Sequence, residues 1–132
     1  MIGLDTNVLV RYAAQDDPVQ SPLANRAVEA LTEEAPGYVT CVVLAEITWV
    51  LRRVYRLGSP EIAVFVRHLL GAREIVVERT DAVRRALVTT GGDERFTDAL
   101  IAELGVDAGC DYTLTFDRRA AELPGGRLLA GK

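Results

Sequence analysis

The sequence predicts an α/β domain with a mainly parallel central sheet of about five short strands flanked by helices. Three observations carry that expectation. Short apolar segments alternate along the chain with longer stretches whose apolar residues recur at helical spacing. Gly, Pro, Ser and Asp punctuate the joints between them. Two of the apolar segments, in "MIGLDTNVLV" and "YTLTFDRR", end in Asp, at the carboxyl end of a strand, where open α/β sheets present their functional crevice.

Taken in order, Ile2–Leu4 reads as a first strand and Val8–Ala14 as the helix after it. Asp17-Pro18 starts a second helix that runs to about Glu34, where Pro36-Gly37 stops it. Tyr38–Thr40 is a second strand. From Cys41 to Arg56, the apolar positions Val43, Ile47, Val50, Leu51 and Val54 fall at helical spacing. Ser59-Pro60-Glu61 opens a further helix, with Ser59 as cap and Pro60 in the first turn, ending near Gly71. Glu74–Glu78 is a third strand, and Thr80-Asp81 begins a helix that Gly91-Gly92 terminates. Phe96–Val106 is helical, Tyr112–Phe116 a fourth strand, Asp117–Leu123 a short helix and Arg127–Ala130 a last strand. With no repeat, linker or low-complexity segment, residues 1–132 are expected to form one domain.

Composition excludes several classes. About half the residues are apolar and a quarter charged, the balance of a folded domain rather than a disordered chain. No apolar run approaches the ~20 residues of a membrane span, and no secretory leader is evident, so a cytoplasmic protein is expected. Cys41 and Cys110 form no CxxC pattern and read as reduced, buried residues rather than a disulfide or zinc site. The net charge of −4 argues against gripping nucleic acid by bulk electrostatics. The fourteen arginines, against a single lysine, are scattered along the chain.

Four carboxylates recur in a meaningful order. Asp5 ends strand one and Asp117 ends strand four; each also suits a helix N-cap. Glu46, in "LAEITWVL", has no basic residue at helical spacing between Val42 and Val50, and Val43 and Val50 flank it on its face. A carboxylate there needs a partner, unless it runs to solvent along a polar edge with Thr48 and Arg53. Asp98, in "RFTDALIAEL", is open to an ordinary surface pair with Arg95.

That order of acids, with the motifs "MIGLDTNVLVRY", "LAEITWVL" and "FTDALIAELGVDAGCDYTLTFDRRAAEL", resembles the PIN-domain nucleases, and more narrowly the VapC toxins of toxin–antitoxin pairs. The resemblance covers essentially the whole chain. It implies a PIN-like domain in which Asp5, Glu46, Asp98 and Asp117 converge on one or two Mg²⁺ or Mn²⁺ ions and cleave RNA. Asn7 and Thr115 match supporting positions of the family. The acidic "GGDER" before Phe96 is a departure, leaving open whether Asp93 or Glu94 joins the site. The resemblance further implies a homodimer, silenced by a VapB-like antitoxin. The antitoxin's C-terminal segment would lie in an apolar groove and send a basic side chain to the acids; the apolar-rich helix carrying Trp49 is compatible with this, although Trp49 and Leu51 equally suit a plain core.

Elementary electrostatics agrees with a metal. Two carboxylates 5 Å apart repel by about 3 kcal/mol at an effective dielectric of ~20. Four in one cleft stay ionised only if cations offset them. Oxygen ligands without Cys or His suit Mg²⁺ or Mn²⁺. His68 is the lone histidine, so RNA cleavage by a histidine pair is excluded. A receiver domain would need a lysine near its last strand, an Asp-nucleophile phosphatase a DxD start, and a dinucleotide fold a GxGxxG. "DTNVLV" offers neither of the last two, and Lys132 is a poor candidate for the first. The remaining alternative is a PIN-like module that binds RNA or protein without cutting.

Overall fold

The computed structural model describes residues 1–129. Ala130, the end of the expected last strand, and Lys132 lie outside the described residues. Three strands, β1 (Ile2–Gly3), β2 (Gly37–Val39) and β3 (Ile75–Val77), form a parallel sheet in the order β1-β2-β3. Its register pairs Ile2 with Gly37 and Val39 with Val77. Two more strands, β4 (Thr113–Thr115) and β5 (Gly126–Leu128), also pair in parallel, but with each other. The five strands therefore divide three and two instead of lying in one ladder. The length of β1 explains this in part. Two residues offer few ladder groups, and those described bond to the β2 side, Leu4 N–H donating to Tyr38 O at 2.9 Å.

Helices fill the connections as the alternation implies: α1 (Thr6–Ala14) and α2 (Gln20–Glu29), then α3 (Cys41–Arg53) and α4 (Ser59–Gly71). After β3 come α5 (Thr80–Thr90) and α6 (Phe96–Asp107), and α7 (Arg118–Ala121) joins β4 to β5. Several boundaries shift for local reasons. Asp17 Oδ1 accepts from Val19 and Gln20 N–H, so the Asp-Pro pair forms the turn before α2 instead of its first turn. α2 ends at Glu29, and the Thr32 hydroxyl accepts from Ala35 N–H in a turn of its own. Thr40, expected in a strand, is the N-cap of α3 and accepts from Val43 N–H. α3 stops at Arg53, short of the left-handed Arg56. Gly58, not Ser59, occupies the cap position of α4.

The core lies between the three-stranded sheet and the apolar faces of α1, α3, α4, α5 and α6. Leu9, Leu44, Ile47, Ile62, Val66 and Phe96 are completely or almost completely buried there. Cys41 is part of it, and burial first, with the charge of Glu78, pushes its thiol up to about 11. Cys110 is exposed, contrary to expectation, because it follows α6 in the loop before β4 and not on an apolar helix face. Among the described residues no helix is long and apolar enough to cross a membrane.

Candidate active site

Asp5 stands where β1 has ended and α1 has not begun. Its extended backbone lets Oδ1 accept from Thr6 N–H at 2.8 Å, as a helix cap does. Thr6 then reaches across to α3: its hydroxyl donates to Glu46 Oε1 at 2.5 Å. Thr40, capping α3 at the end of β2, sets the start of that helix and so the position of Glu46 in its second turn. Asp5, Thr6, Asn7 and Glu46 line one open groove of about 330 Å³. Asn7 opens onto a second groove beside α2 as well. Glu46 is exposed, which corrects the apolar-face expectation, and Thr48 is buried instead of extending a polar edge. The outward stripe of α3 is Val42, Glu46, Trp49 and Arg53, all exposed.

Asp117 ends the second sheet as Asp5 ends the first. Its Oδ1 accepts from Arg119 N–H at 2.8 Å and Ala120 N–H at 3.1 Å, capping α7 and leaving Oδ2 free of those bonds. The Thr115 hydroxyl accepts from Asp117 N–H at 3.0 Å, which holds the end of β4 in shape. Thr115 also lines a small cavity of about 170 Å³ with Asp98. Asp98, in the first turn of α6, is half-buried and has no ion pair or side-chain hydrogen bond among the described residues. Burial, and then the charge of Asp117, raise its pKa above the usual carboxylate range.

The surface pair with Arg95 to which Asp98 is open from its sequence neighbours does not form. Arg95 closes on Asp93, with Nη2 2.9 Å from Asp93 Oδ2, and Glu94 pairs with Arg119 at 2.6 Å. Partial burial pushes the Asp93 carboxyl up, but the Arg95 contacts more than offset this and hold it below the ordinary range. The acids of "GGDER" thus have their cations already. His68 is exposed on α4 and lines a groove away from the acids.

The four sequence-predicted acids therefore lie as two pairs, Asp5 with Glu46 and Asp98 with Asp117. Among the described residues no three Asp, Glu, His or Cys side chains stand close enough to hold one ion together. The helices that carry Glu46 and Asp98 share a groove, however: residues of α3, Asp93, Glu94 and the first turn of α6 line a space of about 450 Å³. Thr6 is the contributor that the sequence reading missed. Its only signal was a hydroxyl next to Asp5, and its partner lies forty positions away.

The family model described as "PIN domain" matches residues 2–126. No curated protein matches the chain.

Proposed function

The chain belongs to the PIN domain family, whose members are typically nucleases, and from that premise we propose that it is a metal-dependent endoribonuclease. Asp5, Glu46, Asp98 and Asp117 carry the reaction on this reading, with Mg²⁺ or Mn²⁺ as the cofactor. The observation that supports it most is Asp98: half-buried beside a second carboxylate, with Arg95, three residues before it, committed elsewhere. Such a group is costly to keep ionised unless a cation joins it.

The residues fit a hard divalent ion in their chemistry. All are carboxylates, and cap bonds occupy one oxygen each of Asp5 and Asp117. Mg²⁺ commonly takes one or two carboxylates and completes its shell with water and substrate phosphate, so a pair of acids suffices to hold it. When bound, the ion would supply a more acidic water and offset charge building on the phosphate. The chain's own contribution is orientation. The α7 cap fixes Asp117, Thr115 fixes the strand end beneath it, and the Thr6 hydroxyl fixes Glu46.

The narrower reading is a VapC-like toxin, a homodimer silenced by a VapB-like antitoxin. It rests on the same motifs and on the exposed Trp49 beside the acids. Purified protein should cut RNA with Mg²⁺ or Mn²⁺ and stop with EDTA, and Asp5→Asn should abolish cutting without unfolding the chain. Cutting that persists in EDTA in a clean preparation would sink the mechanism. An uncut RNA that binds tightly would favour the non-catalytic module.

A further inference from the structure

We propose that Trp49 and Arg53 form a binding subsite for an unpaired nucleotide of the RNA, so that the strand must be single-stranded where it crosses α3. The inference rests on the ribonuclease reading and specifies the form of its substrate. Trp49 is 59 % exposed, although an indole is among the most costly side chains to leave in water. It lies three residues after Glu46 on the same outward stripe, roughly 4.5 Å further along the helix axis.

The groove beside it is walled by α3, by Asp93 and Glu94 of the preceding turn, and by Phe96 and Thr97 at the start of α6, and Thr97 immediately precedes Asp98. A ligand on Trp49 is thereby held between the two helices that carry candidate acids. Two guanidiniums and two carboxylates line this groove, and they differ in whether a partner already engages them. Arg52 donates to Gly92 O and to Ser59, while Arg95 and Arg119 are paired with Asp93 and Glu94. Arg53 is exposed and has no ion pair among the described residues, which leaves its guanidinium available at this groove. A chain of net charge −4 with an acidic site repels a polyanion. Stacking of a base on an aromatic ring adds affinity independently of charge and requires that base to be unpaired.

Trp49 is the only tryptophan, so its emission reports this position alone. The experiment titrates the protein with an unstructured twelve-nucleotide RNA in EDTA, and in Mg²⁺ on the Asp5→Asn background. Emission is read beside the anisotropy of labelled RNA. Saturable quenching should track binding, and an abasic oligomer or a duplex should not produce it. Trp49→Ala should weaken binding on the order of tenfold, while Trp49→Phe retains most of it. In the active protein Trp49→Ala should raise KM more than it lowers kcat. Arg53→Ala should lower the slope of log affinity against log salt by about 0.7.

Binding without quenching, or an unchanged KM in Trp49→Ala, would overturn the subsite while leaving the nuclease reading intact. A dimer that Trp49→Ala dissociates, with RNA affinity unaltered, would assign the face to a second copy instead. Absence of both binding and cleavage would remove the subsite and the nuclease reading together.

Discussion

Arg95 closes on Asp93 and leaves Asp98, three residues later, without an ion pair among the described residues. This choice of partner removes the surface-pair reading of Asp98 and leaves its role in the site as a proposal. A surface carboxylate paired with arginine is stabilising or neutral; a half-buried one beside Asp117 is a burden on the metal-free fold. Its folded pKa is raised, so the native state binds its proton more tightly than the unfolded chain does. The penalty is absent below the unfolded value near 4 and grows as pH rises through the folded one.

Asp98→Asn should therefore raise the melting temperature of the EDTA-treated protein at pH 7. Solvent screening keeps the gain below about 1 kcal/mol, hence at most a few degrees. The difference between the two proteins should shrink on acidification towards pH 4. Mg²⁺ should stabilise the wild type more than the variant. Equal responses to Mg²⁺ in thermal melts would remove Asp98 from the site.

Asp117 does two things, and two substitutions separate them. Its Oδ1 caps α7, a task Asn performs about as well and Ala does not. Asp117→Asn should keep most of the stability and lose cleavage. Asp117→Ala should lose cleavage and about 1 kcal/mol besides. Chemical denaturation of the two variants beside a cleavage assay checks the split, and activity in Asp117→Asn would show that the charge is dispensable.

The two cysteines should report the fold directly. A disulfide-exchange reagent at pH 8 should modify Cys110 rapidly in the native protein, since it is exposed. Cys41 should react only on unfolding, being buried with its thiol pushed up to about 11. Native labelling of two thiols at equal rates would contradict the placement of Cys41 in the core.

Particular residues mark how far the sequence could be read. The strand-end placement of Asp5 and Asp117 was legible because an apolar run ending in Asp is a local pattern, whereas Thr115 was singled out only by the family resemblance. Glu46 was assigned to the right helix with two environments left open, and the solvent-facing one holds, with Arg53 but without Thr48. Helical spacing treats apolar neighbours as one buried face, yet Val42 and Trp49 are exposed and share the outward stripe with Glu46. Partner choice was not legible at all. Whether Arg95 turns to Asp93 or Asp98 depends on the turn before α6, and the Thr6–Glu46 contact on how α1 packs against α3. The division of the strands into three and two likewise depends on β1 being only two residues long.

The turn before α6 also yields the most discriminating test of how the site is positioned. Gly91 and Gly92 both have positive φ, 62° and 81°. A methyl group at Gly91 would meet nothing within 4 Å, whereas at Gly92 it would stand 2.8 Å from Ser59 O and 2.9 Å from Ala63 N. Those atoms are backbone of α4 and have little room to give. Arg52 donates to Gly92 O as well, so this one residue seats the turn against both α3 and α4. Gly91→Ala should cost only the left-handed backbone, about 1–2 kcal/mol. Gly92→Ala should add overpacking of roughly 1–3 kcal/mol, visible as a lower urea midpoint. It should also shift the start of α6, and with it Asp98, so Mg²⁺ should stabilise Gly92→Ala less than Gly91→Ala. Equal urea midpoints for the two variants would show that the turn is free to move away from α4, and that some other contact places Asp98.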